Sequence, residues 1–322
     1  MLVLAVLAAA MSASISAPFA QERYPIRPVR LVIPSVPAGV HDVIGRLWAE
    51  RVKPQLGAIV IDNRGGGGSI GANDAAHAAP DGYSILLGST TTQVLVTPLM
   101  ANPPYDPVKD FSAVCVFAYS STSIVINPSL PVRRLAELIA YAKANPGKLS
   151  YGSAGRGSIT HVAGEYFKQL AGGLDILVVP YKGIGQGVTD LVSEQISILS
   201  ANATAHILEL HRTGKARILS VNAQTRSRAA PDIPTSIEAG LPGMVAQTTF
   251  GIFAPAGTPP AILERLNAVT QQAMADSAFQ AELVKLGFEP VLDVGPQKAA
   301  ALFQDERVRW TPILNSVGGK PE

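Results

Sequence analysis

From residue 29 onward, short β-branched runs alternate with segments of helical periodicity. Residues 29–33 (Val-Arg-Leu-Val-Ile) read as a strand, 41–53 as a helix burying Ile44, Leu47 and Trp48, 59–61 as a strand, 72–79 as a helix and 84–87 as a strand. That βαβαβ order is the signature of a parallel sheet with helices on both faces. After Pro103-Pro104 and an apolar stretch over 113–126, a second series begins with a helix carrying Leu135, Leu138 and Ile139, stopped by Asn145-Pro146-Gly147. It continues as strand 149–151, helix 159–171, strand 176–179, helix 187–194, strand 196–199, helix 205–212 and strand 217–221.

From Phe250 three helical signals follow. Thr258 is expected to cap a helix that starts at Pro259-Pro260 and presents Ile262, Leu266, Val269 and Ala273 on one face. Ser277 is expected to cap a second with Phe279, Leu283 and Leu286, and 299–310 form a third. None brings a full sheet of its own, so this part must pack on a sheet already made. The pattern predicts two doubly wound α/β domains, one formed by 24–123 with 248–322 and the other by 124–247. The chain then crosses twice, near Ile124 and near Thr248, as a two-strand hinge.

The first residues add an address. Residues 1–20 carry no charge, and 2–10 are an unbroken apolar run, well short of the roughly 20 residues that a membrane-spanning helix requires. Small residues follow, and then the polar Gln21-Glu22-Arg23, which predicts a secretory signal cleaved after Ala20. No later stretch reaches about 18 apolar residues, so the mature chain is expected to be soluble. At 322 residues and 47% hydrophobic, the chain can bury large cores, and a net charge of +2 without a concentrated basic patch argues against nucleic acid. The single cysteine, Cys115, lies in an apolar run and reads as a core thiol. It is too far from the leader to carry a lipid. His206 and His211 have no metal-ligand spacing, so no metal is expected.

Ligands of open α/β sheets bind beyond the carboxyl ends of the strands, where helix N-termini face the crevice. The first such loop is Pro34-Ser35-Val36-Pro37-Ala38-Gly39-Val40-His41-Asp42, with Gly39 free for unusual dihedrals and Asp42 placed to cap the helix. The second, Gly88-Ser89-Thr90-Thr91-Thr92, is rich in hydroxyls that either bind a ligand or cap the next helix. The third, Gly152-Ser153-Ala154-Gly155-Arg156-Gly157-Ser158, forms a nest of N–H groups suited to an anion. It lacks a P-loop lysine, and Thr160 breaks a dinucleotide pattern, so no nucleotide cofactor is expected. One helix terminus contributes about 1–2 kcal/mol, whereas micromolar affinity takes about 8 kcal/mol. Two facing loops must therefore close on one ligand. An alternative is an exported serine hydrolase, because Gly67-Gly68-Ser69-Ile70-Gly71 satisfies GxSxG. Four glycines ahead of Ser69 keep that serine off a tight elbow.

In order along the chain stand Tyr24-Pro25, Pro37-Ala38-Gly39, Asp62-Asn63-Arg64 with Gly67 and Gly71-Ala72, and Pro80-Asp81-Gly82-Tyr83. They are followed by Gly152-Ser153-Ala154-Gly155 with Gly157-Ser158 and His161, then Pro180-Tyr181-Lys182-Gly183, Pro234-Thr235 with Glu238-Ala239-Gly240, and Ala254-Pro255-Ala256-Gly257-Thr258-Pro259. In these segments the chain resembles the periplasmic solute-binding component of tripartite tricarboxylate transporters, the Bug-type binding proteins. The resemblance implies a type II periplasmic-binding fold, no enzymatic activity, closure around a di- or tricarboxylate, and delivery to a membrane permease with large and small subunits. A monomer suits that delivery. A sensor module signalling to a membrane kinase is the third reading.

In the family, the loop after the first strand and the GSAGxGS loop hold a carboxylate from opposite domains, which here implies residues 37–41 and 153–158. The expected site is thus Ser35, Pro37, Ala38, Gly39, His41, Asp42, Ser89, Thr90, Ser153, Ala154, Gly155, Gly157, Ser158, His161 and Asn202. Two departures from the family pattern stand out. Gly39-Val40-His41-Asp42 is one residue shorter with a bulkier imidazole, and Ala201-Asn202 replaces an aromatic-Asp pair. Both point toward an acid other than the usual dicarboxylate, aromatic acids included.

Overall fold

The computed structural model describes residues 24–317, and the expected leader lies outside them. The chain opens with β1 (Val29–Ile33), α1 (Val40–Leu56), β2 (Ile59–Asn63), α2 (Ser69–Ala76) and β3 (Ser84–Ser89). β1 pairs in parallel with both β2 and β3, as the βαβαβ reading requires. A π-helical turn (Thr91–Leu95) follows, and then the long strand β4 (Phe111–Ile126). Next come α3 (Leu135–Ala144), β5 (Leu149–Ser153), α4 (Ile159–Leu170), β6 (Ile176–Pro180), α5 (Ile184–Val192), β7 (Ile198–Asn202), α6 (Ala205–Arg212) and β8 (Arg217–Val221). The last part holds β9 (Gln247–Pro255), α7 (Pro260–Met274), α8 (Ser277–Lys285), β10 (Glu289–Pro290) and α9 (Pro296–Val317).

β4 is the shared element of two half-sheets. Up to Ser121 it pairs antiparallel with β9, which in turn pairs with β3. From Thr122 on it pairs with β7 on one side and, from Ser123, with β8 on the other. β5 then joins β7 and β6 in parallel. The first lobe therefore gathers around β1, β2, β3, β9 and the start of β4, and the second around β5 to β8 and the end of β4.

β9 is absent from the sequence reading, which sees only a crossing near Thr248. Its residues Gln-Thr-Thr-Phe-Gly-Ile-Phe-Ala-Pro are buried on both faces after Gln247, so no polar alternation marks them as a strand. Two expected caps are also corrected. Thr258 donates its hydroxyl to the Pro255 carbonyl (2.7 Å), and α7 begins after Pro259 without a side-chain cap. α8 is capped by Asp276, whose carboxylate accepts from the Ala278 N–H (2.8 Å), so Ser277 is its first helical residue.

Trp48 of α1 is fully buried, and its indole donates to Thr270 of α7 (3.1 Å), which locks the C-terminal helices onto the first lobe. α9 behaves differently from α7 and α8. It packs on β4, on the π-helical turn and on α4, with Trp310 edge-on to Tyr166 and Ser316 bonded to Gln169 (2.9 Å). Cys115 is buried in the first-lobe core, and burial pushes its thiol up to about 11.

The contact between β4 and β9 is tight at Gly251, where a Cβ would lie 2.4 Å from the Cys115 carbonyl oxygen. Gly251→Ala should lower stability by about 1–3 kcal/mol, as overpacking does. Urea unfolding would show a lower midpoint with an unchanged slope. An unmoved midpoint would mean that the two strands have room to separate.

Candidate functional site

The carboxyl ends of β1, β3, β5 and β7 meet around one cavity of about 390 Å³. Each strand end is followed by a helix start. Cavity-lining residues come from the openings of α1 (Gly39, Val40, His41), α2 (Gly66, Gly67, Gly68), α4 (Ala154, Ser158, Ile159, Thr160), α5 (Lys182, Gly183, Ile184) and α6 (Thr204, Ala205, His206). The first turn of a helix leaves its N–H groups without intrahelical partners, and these carry the positive end of the helix dipole. No N-cap side chain closes α1, α2, α5 or α6 among the described residues; Asp42 lies in the first turn of α1, and the first N–H of α6 donates to the Leu286 carbonyl (3.0 Å). Among the described residues that line the cavity there is no Asp or Glu.

Backbone geometry aims these termini. Gly66, Gly67 and Gly68 all take positive φ (114°, 67° and 96°), which turns the chain back so that α2 starts at the cavity rim. In the first loop the expectation for Gly39 is reversed. Gly39 is extended at φ −71°, and Ala38 is the left-handed residue at φ 62°. The strain at Ala38 is held by Asp42, whose buried carboxylate accepts from the Ala38 N–H (2.8 Å). The same carboxylate accepts from Arg46 and from Asn63, both at 2.9 Å. Burial pushes Asp42 up, yet these donors together hold it below the ordinary aspartate range. Asp42 therefore does not line the cavity, as a ligand residue would; it fixes the loop that does.

Ser35, Ala38, Gly39 and His41 line the cavity as expected, whereas Pro37 projects to solvent at the tip of the loop. The Ser35 N–H is bonded to the Ile33 carbonyl (2.8 Å) and the Gly39 N–H to the Val36 carbonyl (3.2 Å), so with Ala38 tied to Asp42 these groups shape the loop. His41 Nε2 lies 2.9 Å from Ser89 Oγ, and its ring stands edge-on to Phe250. Burial lowers its pKa to about 4, which makes it a neutral imidazole at physiological pH. Ser89 is buried beneath His41 and acts on the cavity through it.

Thr90 points elsewhere. Its hydroxyl donates to Glu306 of α9 (2.8 Å) and accepts from the Thr249 N–H (2.9 Å), while the Thr249 hydroxyl donates to the other Glu306 oxygen (2.6 Å). Only the tertiary fold brings Glu306 to that position. The next two residues, Thr91 and Thr92, line the cavity, with the Thr92 hydroxyl accepting from the Ser89 N–H (2.9 Å) and donating to the Ser89 carbonyl (3.2 Å). Thr91 also accepts the Ile159 N–H at the start of α4 (3.3 Å), which joins the lobes.

In the third loop Ala154 and Ser158 line the cavity, and the rest is scaffold. Ser158 caps α4 by accepting from the His161 N–H (3.2 Å) and donates to the Gly155 carbonyl (2.7 Å). The Ala154 N–H donates to Thr160 (2.9 Å) and the Gly157 N–H to His161 Nδ1 (3.4 Å). Gly155 and Gly157 take φ of 115° and 76°, and a Cβ on Gly155 would sit 3.0 Å from the Tyr181 carbonyl. Ser153 is wholly buried behind the loop, its hydroxyl without a partner among the described residues. Ser153, Gly155, Gly157 and His161, expected at the ligand, lie outside the cavity lining and shape the loop from behind. Asn202 does line the cavity, with its amide donating to Ser120 O (3.0 Å) and Thr248 Oγ1 (2.9 Å) on the crossing strands.

The sequence reading omits residues 66–68, 182–184 and 204–206, although the rule that picks out strand ends applies equally to β2, β6 and β7. Leu286, after α8, reads in the sequence as an apolar position of that helix and gives no sign that it reaches the cavity. Ser69 donates to the Gly66 carbonyl (3.3 Å) and has no histidine in that contact, so the hydrolase geometry is not assembled. Among the described residues no group of His, Cys, Asp or Glu is arranged for a metal, and no helix is long and apolar enough to cross a membrane.

The profile of the tripartite tricarboxylate transporter family receptor, TctC, matches residues 44–318. The chain belongs to this receptor family. Protein BugT of Bordetella pertussis is 35% identical over 312 residues, spanning 96% of this chain and 95% of its own length. An R. palustris protein solved with adipate superimposes with a TM-score of 0.88 at 32% identity, covering 93% of this chain and 100% of the other. The periplasmic binding protein BugD gives 0.86 at 30% identity, with 93% and 100% covered. The type II periplasmic-binding architecture implied by the sequence is therefore the observed one, and the receptors of this family are binding proteins, not enzymes.

The lowered pKa of His41 sets a pH dependence. The folded state favours the neutral ring, so the unfolded chain binds a proton at higher pH than the folded chain does. The His41 contribution is complete above its ordinary value of 6.5 and is lost as pH falls toward about 4. A full shift of that size corresponds to about 3 kcal/mol. Thermal unfolding at pH 7.5 and pH 5 should show a larger loss for the parent protein than for His41→Gln, and equal losses would refute the assignment.

Proposed function

We propose that this receptor captures a small organic carboxylate in the cavity between its lobes and delivers it to the membrane subunits of a tripartite transporter. The observation that supports this best is the convergence of uncapped helix N-termini on a cavity that has no carboxylate of its own. At about 1–2 kcal/mol each, α1, α2, α5 and α6 together supply roughly 4–8 kcal/mol toward an anion, comparable to the requirement for micromolar binding. The Thr91 hydroxyl, which accepts from the Ile159 N–H, keeps its own proton to donate, and exclusion of water strengthens all of these contacts. Adipate in a related solved structure is a ligand of the same chemical class.

Residues 24–123 with 248–322, and residues 124–247, move as two bodies about β4 and the run into β9. Val36 of the first lobe reaches across to the second, where a Cβ built on Gly183 would fall 2.9 Å from Val36 Cγ2. Such a contact suits a closed form that opens for entry and release. Export by the leader places the mature chain in the periplasm, where a monomer can dock on the permease.

Isothermal titration of the mature protein against aliphatic and aromatic acids should show binding. If no acid binds while a neutral sugar or a cation does, the reading is wrong. Ala154→Asp, which adds a negative charge at the start of α4, should weaken the bound acid at least about 100-fold, equivalent to about 2.7 kcal/mol. Ala154→Ser should retain it. Equal affinity in both variants would remove that loop from the site.

A further inference from the structure

Asn202 ends β7 and is only 7% exposed, yet it lines the cavity. Its carboxamide is held from behind. The Nδ2 group donates one hydrogen to the Ser120 carbonyl on β4 (3.0 Å) and the other to Thr248 Oγ1 on β9 (2.9 Å), the two strands on which the chain crosses between the lobes. The Ser120 carbonyl has only lone pairs to offer, so the amide can be turned only one way. Both donor hydrogens are then engaged, and the carbonyl oxygen Oδ1 is what remains for the cavity. Oδ1 accepts from no group among the described residues, and it is not sealed inside the protein as the unbonded Ser153 Oγ is.

A fixed acceptor differs from the other polar side chains at the site. The Thr91 hydroxyl still has a proton to donate, and the ring nitrogen of His41 that does not face Ser89 takes either role according to the tautomer. Asn202 can only accept. A carboxylate oxygen placed against Oδ1 sets lone pairs against lone pairs, whereas an O–H or N–H of the ligand completes it, and a buried acceptor left without a donor is costly. An ammonium group would also complete it. However, no Asp or Glu stands among the described lining residues to balance its charge, and the helix starts around the cavity repel a cation. A neutral hydroxyl meets neither obstacle. We propose that Asn202 is a specificity-determining residue whose Oδ1 accepts from a hydroxyl on the body of the bound acid, so that the receptor prefers a hydroxy acid to the same acid without the hydroxyl. The proposal rests on the carboxylate reading and narrows it.

Two triads of acids test this, each carrying a hydroxyl, a hydrogen or an ammonium on the same carbon: malate, succinate and aspartate, and mandelate, phenylacetate and phenylglycine. All are titrated into the mature protein by calorimetry, the chiral ones as separate enantiomers. In at least one triad the hydroxy acid should bind at least about 10-fold more tightly than both of its partners. If neither triad shows that order the inference falls, and binding of any of the six acids leaves the carboxylate reading intact. Failure of all six, with a neutral sugar or a cation bound instead, overturns the carboxylate reading itself. Asn202→Leu, close in volume and without an acceptor, should weaken the preferred hydroxy acid at least about 10-fold and its unsubstituted partner less than about 3-fold, a split that a purely structural role would not produce. Asn202→Ala gives the same readout if the leucine variant does not fold. An unchanged ratio in a folded variant overturns the inference, and if neither variant folds the triads on the parent protein decide it.

Discussion

Unpaired peptide N–H groups at helix starts are the constraint around which this receptor is organised. A helix buried at its N-terminus needs acceptors, and a chain can provide them with Ser, Thr, Asp or Asn caps. Here α1, α2 and α5 open on glycine, and α6 opens on a threonine whose hydroxyl does not cap it. The first N–H of α6 finds the Leu286 carbonyl (3.0 Å), and the other starts lack a side-chain acceptor. Parallel β-α-β connections place such helix starts at the carboxyl ends of the strands, and two half-sheets sharing β4 turn those ends toward each other.

Supporting groups have their own logic. Asp42 and His161 hold the two loops that face each other, one through the Ala38 N–H and the other through the Gly157 N–H. Keeping Asp42 behind its loop, paired with Arg46, removes its negative charge from the cavity. Glu306 does comparable work where the lobes meet. Burial pushes its carboxyl above the ordinary glutamate range, and the Thr90 and Thr249 hydroxyls oppose that shift by binding it to β9 and to the turn after β3. α9 is thereby stapled across the region where the chain passes between lobes, with Arg307 donating to the Gln93 carbonyl (3.2 Å) from the same helix.

Family membership fixes the architecture and leaves the ligand to a few side chains. Because the donors that face the anion are mostly backbone groups, they tolerate sequence change as long as glycine and the helix starts are kept. Discrimination among acids must then come from the lining side chains, which here include Asn202, the neutral His41, the single lysine Lys182 and the aliphatic groups on α5 and α6.

The sequence alone determined the alternation of strands and helices, the anion-facing loops after β1 and β5, and the family, because periodicity and glycine placement are local properties that a linear pattern records. Of the residues it named, Ser35, Ala38, Gly39, His41, Ala154, Ser158 and Asn202 line the cavity, since each lies on or next to a strand end. Only the tertiary structure decided which of the threonines after β3 line the cavity. The π-helical turn places Thr91 and Thr92 along it and Thr90 against Glu306, a carboxylate 216 residues away in sequence. It also decided that β9, buried on both faces and without alternation, completes the first sheet, and that Leu286 reaches the cavity. Those outcomes depend on which segments fold beside one another, and long-range packing leaves no periodic trace in the chain.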